Sequence, residues 1–204
     1  MMREFSIALE QCLREKDSYS HPFVCAGSPP IGGIFVVGHN AATRLSEPFC
    51  NYWSKEGGFK KSKFLDDYRS QPRREGRLKG ARLRIEEIAK VVGPENLLDT
   101  NIYTHSTETE NDLKKENKGT EVFEFLLSTL KPQVVLAHGW KAIKFFRKRA
   151  GVANATPYPQ IADFEGHKFA LVCSRHLSRI AVDAARDIGA NLQKELRSRV
   201  SHLL

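Results

Sequence analysis

Four short apolar runs, separated by longer stretches with helical spacing, constrain the fold of this chain more than any other feature. Each run is too short for a helix and has no helical period, which predicts a buried strand. Strands that alternate with helices predict an α/β domain, with helices on both faces of a mainly parallel sheet. The runs are Ile34 to Val37, Asn96 to Tyr103, Gln133 to Ala137 and Lys168 to Cys173.

Apolar residues spaced three and four apart predict helices around these strands. Thr120 is expected to cap the helix that follows it. The last strand is expected to belong to a hairpin, because Glu165-Gly166 lies between two alternating runs. The stretches with helical spacing begin near Phe5, Ala81, Val122, Trp140 and Ala181.

The size of the chain favours one domain over residues 1–204. With 204 residues, of which 41% are hydrophobic and 27% charged, the chain can bury a core without metal or disulfide staples. Its four cysteines are scattered and form no CxxC pair, so we expect no structural zinc and no paired disulfides.

The sequence shows no signal for a membrane or for export. No apolar run approaches the roughly 20 residues that a membrane-spanning helix needs. Charges at Arg3, Glu4 and Glu10 interrupt the apolar stretch that a secretory signal requires. We therefore expect a soluble intracellular protein, in the cytoplasm or the nucleus, with no membrane contact.

Hydrogen-bonding residues stand at the carboxyl ends of all four predicted strands. In a parallel sheet, ligands bind beyond the carboxyl ends of the strands. These ends provide neutral or cationic groups and no carboxylate, which favours an anionic or amide-edged ligand over a Mg²⁺-type ion. The segments are Gly38-His39-Asn40, Asn101-Ile102-Tyr103, His138-Gly139-Trp140 and Ser174 to Arg179, which includes His176 and Ser178.

Each of these residues also has a purely structural interpretation. Gly38 would permit a tight turn, Asn40 and Ser178 would cap helices, Asn101 would stabilise a turn, and His138 would be a buried structural histidine. The combined placement of these residues at four strand ends is the stronger argument for a site.

Several common enzyme motifs are missing from the sequence. It contains no HExxH, no GxSxG, no GxxxxGK[ST] and no GxGxxG. The spacing of His39, His138 and His176 does not match a zinc hydrolase. We expect neither a metal nor a cofactor.

Positive charge is concentrated in one part of the chain. The net charge is +8, and the segment from Lys55 to Arg84 contains 11 basic and four acidic residues, a local charge of +7. A second basic cluster runs from Lys141 to Arg149. Such clusters favour a polyanionic partner, and the alternative is a set of solvated helix faces. Within the first segment, Arg73, Arg74 and Arg77 are our candidates for contacts with DNA.

In order along the chain, the four strand ends resemble the uracil-DNA glycosylase superfamily, from about Ile34 to Arg179. The segment GHNAAT resembles the first motif of the mismatch-specific uracil/thymine branch, Gly-x-Asn-Pro-Gly, with Ala41-Ala42 in place of Pro-Gly. TNIY and VVLAHGWKAI are similar to the segments at strands two and three. HLSR resembles the His-Pro-Ser motif, with Leu177 in place of proline.

The resemblance implies a three-layer α/β/α sandwich around a short, mainly parallel, four-stranded sheet. It implies that Asn40 orients the attacking water and that His176 faces the carbonyl of the base. Gly38, His39 and Asn101 would bind a flipped uracil-like base, with Tyr52 or Trp53 stacking on it. Ser178 and Arg179 would contact the DNA strand. Because the CxxC start of the iron–sulfur branches is missing, no cluster is expected.

Three functions follow from the sequence. The first is a DNA glycosylase that removes uracil or a related damaged or mismatched base by base flipping. The alternative is a non-catalytic member of the same fold that binds nucleic acid or nucleotides. The third is an enzyme that acts on a free nucleobase or nucleoside.

Overall fold

The predicted alternation of strands and helices is confirmed in a computed structural model of the chain, which describes residues 2–13, 20–40, 47–107 and 110–201. Ala41, Ala42 and Thr43 of the first motif lie outside the described residues. The helices are α1 (Met2–Leu13), α2 (Lys61–Ser70), α3 (Gly80–Val92), α4 (Glu121–Leu130), α5 (Trp140–Arg149) and α6 (Val182–Ser201). The strands are β1 (Phe23–Cys25), β2 (Ile34–Asn40), β3 (Trp53–Ser54), β4 (Gly58–Phe59), β5 (Leu97–Tyr103), β6 (Val134–His138), β7 (Gln160–Phe164) and β8 (His167–Ser174).

The four apolar runs form the parallel centre of a larger mixed sheet. Its order is β1-β5-β2-β6-β8-β7, so the sheet has six strands rather than the four predicted. β5, β2, β6 and β8 are parallel, whereas β1 and β7 pair antiparallel at the two edges. β1 has only three residues, too few to show a pattern in the sequence. The predicted hairpin is confirmed, because β7 pairs with β8 across Glu165-Gly166.

Side chains that alternate along the central strands pack into two separate hydrophobic layers. Ile34 and Val36 of β2 face one layer, which contains apolar residues of α3 and α6. Phe35 and Val37 face the other, formed with α1, α2, α4 and α5. The expectation of helices on both faces of the sheet is therefore confirmed, because each strand buries both of its faces.

Two local features differ from the sequence-based expectation. α2 was not predicted, because its apolar residues are few and stand among charged ones. Thr120 does stand at the start of α4, but its hydroxyl donates to the Glu124 carboxylate at 2.8 Å and caps no backbone N–H.

None of the helices in the described part of the chain combines the length and the apolar composition needed to cross a bilayer.

Candidate functional site

A cleft of about 880 Å³ opens where the parallel strands end. It is lined by residues from all four predicted strand ends, because parallel strands deliver their carboxyl ends to one edge of the sheet. The predicted site residues that it contains are Gly38, His39, Asn40, Asn101, His176, Ser178, Arg179 and Arg74.

Gly38 allows the side chain of Asn101 to lie directly against strand β2. The two residues are register partners on adjacent parallel strands. A β-carbon at position 38 would lie 2.4 Å from Asn101 Oδ1 and 3.2 Å from His138 Nε2. No described residue forms a hydrogen bond with the Asn101 amide, so its donors and its acceptor are available to a ligand.

Asn40 is fixed by a contact with Thr107, which follows strand β5 in the sequence. Its Nδ2 donates to Thr107 Oγ1 at 3.1 Å, and the residue is only partly buried. Because this bond engages the nitrogen, the carbonyl oxygen of the amide is the atom that can accept a hydrogen bond from water.

His176 stands at the start of a short 3₁₀ turn, Leu177–Arg179, which determines the tautomer of its ring. Its Nδ1 accepts a hydrogen bond from the backbone N–H of Ser178 at 3.3 Å and lies 2.8 Å from the Ser178 hydroxyl. An accepting Nδ1 places the proton of the neutral ring on Nε2. His176 therefore presents an N–H donor. Ser178 orients the ring of His176 and does not cap α6, which begins at Val182.

His138 packs against His176 beneath the cleft. The two ring centroids are 5.1 Å apart, in an edge-to-face arrangement. Burial lowers the pKa of His138 to about 3, and the neighbouring His176 and Arg82 lower it further. His138 is therefore neutral at physiological pH. Its Nδ1 has no hydrogen-bond partner in the described part of the chain.

The glycine between strand β6 and helix α5 allows this packing. Gly139 has a φ of +83°, which disfavours other residues. A β-carbon there would lie 3.1 Å from Cδ2 of His176. The turn thus holds the two histidines close together.

A buried charge network lies beside these residues. Arg82 of α3 pairs with Asp99 of β5 and with Glu86 at 3.3 Å, and Lys61 pairs with Glu86 at 2.8 Å. Burial raises the pKa of the Asp99 carboxyl, while the Arg82 guanidinium opposes this rise. Arg82 and Asp99 both line the cleft, but their charges are directed at each other.

The structure does not bring Tyr52 and Trp53 to the cleft, which corrects the stacking role expected for them. Tyr52 is fully buried, and its hydroxyl donates to the Asp67 carboxylate. Burial raises the pKa of Tyr52, and the bond to Asp67 raises it further. Trp53 packs in an aromatic cluster with Phe5, Phe23 and Phe49. Both residues anchor a loop onto the core.

Two of the three candidate arginines lie away from the cleft. Arg74 lines it, with its guanidinium 4.5 Å from the centre of the Tyr68 ring. Arg73 and Arg77 are exposed but are not among the lining residues. Arg73 and Arg74 lie in a 3₁₀ turn, Pro72–Arg74, which the sequence did not reveal.

Sequence reasoning missed several residues of the cleft because it considered only strand ends. Asp99 lies inside β5, and its charge within an apolar run was the available signal. His21 precedes β1 and also lines the cleft; burial lowers its pKa to about 4, against opposing effects of Asp67 and the Glu47 backbone. Trp140, which the sequence placed at a strand end, and Lys141, from the second basic cluster, also line the cleft at the start of α5.

Among the described residues, no group of three or more His, Cys, Asp or Glu side chains is arranged to hold a metal ion. A comparison of the chain with known protein families and with curated proteins found no match.

Proposed function

We propose that this protein is a uracil-DNA glycosylase-like enzyme that hydrolyses the N-glycosidic bond of uracil, or of a related damaged or mismatched base, in DNA. One observation carries the proposal. Asn40, Asn101 and His176 come from distant parts of the sequence and line the same cleft, at the edge of the sheet where ligands bind.

The cleft suits a nucleobase removed from its stack. Its volume of about 880 Å³ is within the usual range of small-molecule sites. The Asn101 amide offers a donor and an acceptor to the amide edge of uracil, and Gly38 lets the base approach the strand. An enzyme of this kind extrudes the nucleotide at a cost of about a few kcal/mol and reads it in such a pocket.

The polar groups match the charge that develops during bond cleavage. The C–N bond to the base breaks, its electron pair leaves with the base, and the sugar becomes oxocarbenium-like. The N–H donor of His176 would stabilise the anionic base at its carbonyl oxygen. Water, oriented by the amide oxygen of Asn40, would then bond to the sugar carbon and release its proton to solvent. Because an amide cannot accept that proton, we expect slow turnover.

A non-catalytic binding protein with the same fold is the second candidate. It is favoured because the described part of the cleft offers no carboxylate that could act as a general base. Asp99 is the one carboxylate among the described residues that line the cleft, and its ion pair with Arg82 makes it unsuitable for that role. Such a protein would bind the base without releasing it.

The test is release of uracil under single-turnover conditions, with the enzyme in excess. Single-stranded and G·U duplex DNA containing one uracil are incubated with the protein, and the abasic sites are cleaved with alkali. We expect strand breaks with the wild-type protein. We expect at least a roughly hundredfold slower rate in the Asn40→Ala, His176→Ala double variant, which lacks both proposed groups.

The matched control is Asn154→Ala, which removes an exposed asparagine from a loop whose residues do not line the cleft. This variant should keep the wild-type rate. If the wild-type protein releases no more base than the double variant, the glycosylase proposal is wrong. DNA binding without base release would then support the second candidate.

A further inference from the structure

A strip of exposed residues on helix α5 leads away from the cleft. Its members are Trp140, Lys144, Arg147 and Lys148, which we call the α5 strip. Residues three and four positions apart share one side of a helix. The opposite side of α5 is anchored in the core by Ala142, Ile143 and Phe146.

Trp140 is unusual because it is both exposed and part of the cleft. Its side chain is 62% exposed, whereas the other tryptophan, Trp53, is 7% exposed. An exposed indole ring beside a cleft can stack on a base of a single strand. Trp140 stands at the rim, next to the strand end that carries His138.

The cations of the α5 strip are not neutralised by the protein. No carboxylate in the described ranges forms an ion pair with Lys144, Arg147 or Lys148, and helix α5 contains no acidic residue. Arg149, at the end of the same helix, is different because it pairs with Glu124 at 3.1 Å and with Glu165 at 3.3 Å.

Many basic residues of the larger segment, from Lys55 to Arg84, are engaged in contacts within the protein. Arg84 donates to the Ile180 carbonyl at 3.1 Å, and Lys63 lies over the ring of Tyr52. The local charge of +7 therefore overstates what this segment offers to a partner. Its ion pairs include Lys55–Glu10, Lys61–Glu86, Arg69–Asp66, Lys79–Glu75, Arg82–Glu86 and Arg82–Asp99.

From these observations we infer that the α5 strip binds single-stranded DNA, with Trp140 stacking on a base and the three cations following the phosphates. The identity of the strand as DNA rests on the proposed function. An exposed aromatic ring followed by a line of cations is the arrangement that binds single strands without sequence preference. In a duplex the base faces are already stacked, so the ring of Trp140 favours an unpaired strand. Helix α5 is about 15 Å long, which allows its cations to meet separate phosphates.

The experiment measures binding of a labelled thymidine oligonucleotide without uracil at several salt concentrations. Trp140→Ala should weaken binding roughly tenfold or more, and Trp140→Phe should recover part of this loss, because a phenyl ring still stacks. The triple variant Lys144→Gln, Arg147→Gln, Lys148→Gln should reduce the slope of log affinity against log salt by about 2, at about 0.7 for each lost phosphate contact. A duplex of the same length should bind the wild-type protein more weakly.

The matched control removes the same number of charges elsewhere: Lys168→Gln, Lys194→Gln, Arg197→Gln. These exposed residues lie at the start of β8 and on the last turns of α6. The control should leave the salt slope close to that of the wild-type protein. If the two triple variants lose the same slope, the effect comes from net charge and the inference is wrong.

Tryptophan fluorescence provides a second measurement that does not depend on the affinity. The chain has two tryptophans, so the Trp140→Phe variant emits only from buried Trp53. The oligonucleotide should quench the emission of the wild-type protein and leave that of the variant unchanged. Quenching in both proteins, or in neither, would overturn the stacking role.

The result is separable from the test of catalysis. Binding through the α5 strip without base release would contradict the glycosylase proposal alone. Base release with unchanged binding in the Trp140→Ala variant and in the α5 triple variant would contradict the inference alone.

Discussion

At the scale of single residues, the cleft depends on the close approach of the Asn101 side chain to the backbone of Gly38. Gly38 lacks a side chain at the point where the Asn101 amide and the His138 ring meet strand β2. The methyl group of an alanine at position 38 would collide with the amide of Asn101, which can rotate away. Strand β2 can therefore accept alanine at this position, but the Asn101 amide must move.

We predict that Gly38→Ala impairs the function more than the fold. The displaced Asn101 amide should slow uracil release about tenfold or more, the equivalent of one or two lost hydrogen bonds. The free energy of unfolding should change by less than about 1 kcal/mol, because crowding opposes the lower entropy of the unfolded chain. Release assays and urea denaturation check the two parts.

Asn101→Ala serves as the comparison for this prediction, because it removes the same amide without adding a methyl group. The two variants should have similar rates. A wild-type rate in Gly38→Ala would show that the position of the Asn101 amide does not matter.

At the scale of elements, buried charges connect two helices to the central sheet. Lys61 of α2 pairs with Glu86 of α3, and Arg82 of α3 pairs with Asp99 of β5. Arg82 also makes contact with the face of the Phe64 ring in α2, 5.1 Å from its centre. These contacts fix the part of the cleft that Phe64, Arg82 and Asp99 line.

We predict that Asp99→Asn destabilises the protein by about 3 kcal/mol. The substitution leaves the Arg82 guanidinium buried with less compensating charge, which costs about 3–5 kcal/mol for a fully unpaired group. Glu86 remains a partner, so the loss should be at the low end of that range. Urea denaturation at neutral pH measures it.

The control for this prediction is Asp183→Asn, which breaks an ion pair with Arg186 on the surface. Exposed pairs contribute little, so this variant should unfold at nearly the wild-type denaturant concentration. Equal stability of Asp99→Asn and the wild-type protein would show that the buried network does not hold the elements together.

Elements with a strong apolar pattern were predictable, and elements defined by tertiary contacts were not. The four central strands and five of the six helices follow from apolar spacing alone. β1 and α2 do not, because their stability comes from pairing with β5 and from packing of Phe64 and Tyr68.

The candidate site shows the same division. Residues at or just beyond the carboxyl ends of strands were predictable, since parallel strands bring Asn40, Asn101 and His176 to one edge of the sheet. The stacking role of Tyr52 was implied only by the family resemblance, but the fold buries this residue among other aromatic side chains. A resemblance between motifs does not determine which way a loop residue between them faces.

At the scale of the whole molecule, two buried histidines make folding sensitive to acid. Burial holds the pKa of His138 at about 3 and that of His21 at about 4, against 6.5 for an exposed histidine. Below pH 6.5 the unfolded chain therefore takes up protons that the folded chain does not. Stability falls as the pH decreases towards these lower values.

We predict that His138→Asn reduces this pH dependence. Each such histidine contributes a loss of up to about 1.4 kcal/mol per pH unit, so the variant should lose stability more slowly as the pH falls from about 6.5 to about 4. Urea denaturation of both proteins at several pH values tests this. Parallel curves would show that His138 does not titrate differently in the folded and unfolded states.

The edge strands β1 and β7 have a consequence for the motions of the molecule. The four parallel strands whose carboxyl ends meet at the cleft, β5, β2, β6 and β8, are each hydrogen-bonded to a neighbour on both sides. Fraying of a sheet begins at its edge strands and requires little free energy. Opening of a central strand requires a free energy close to that of global unfolding. The ends of these four strands are therefore the least mobile part of the cleft. A ligand that enters is accommodated by the segments around them: the loops, the helix starts and the edge strand β1.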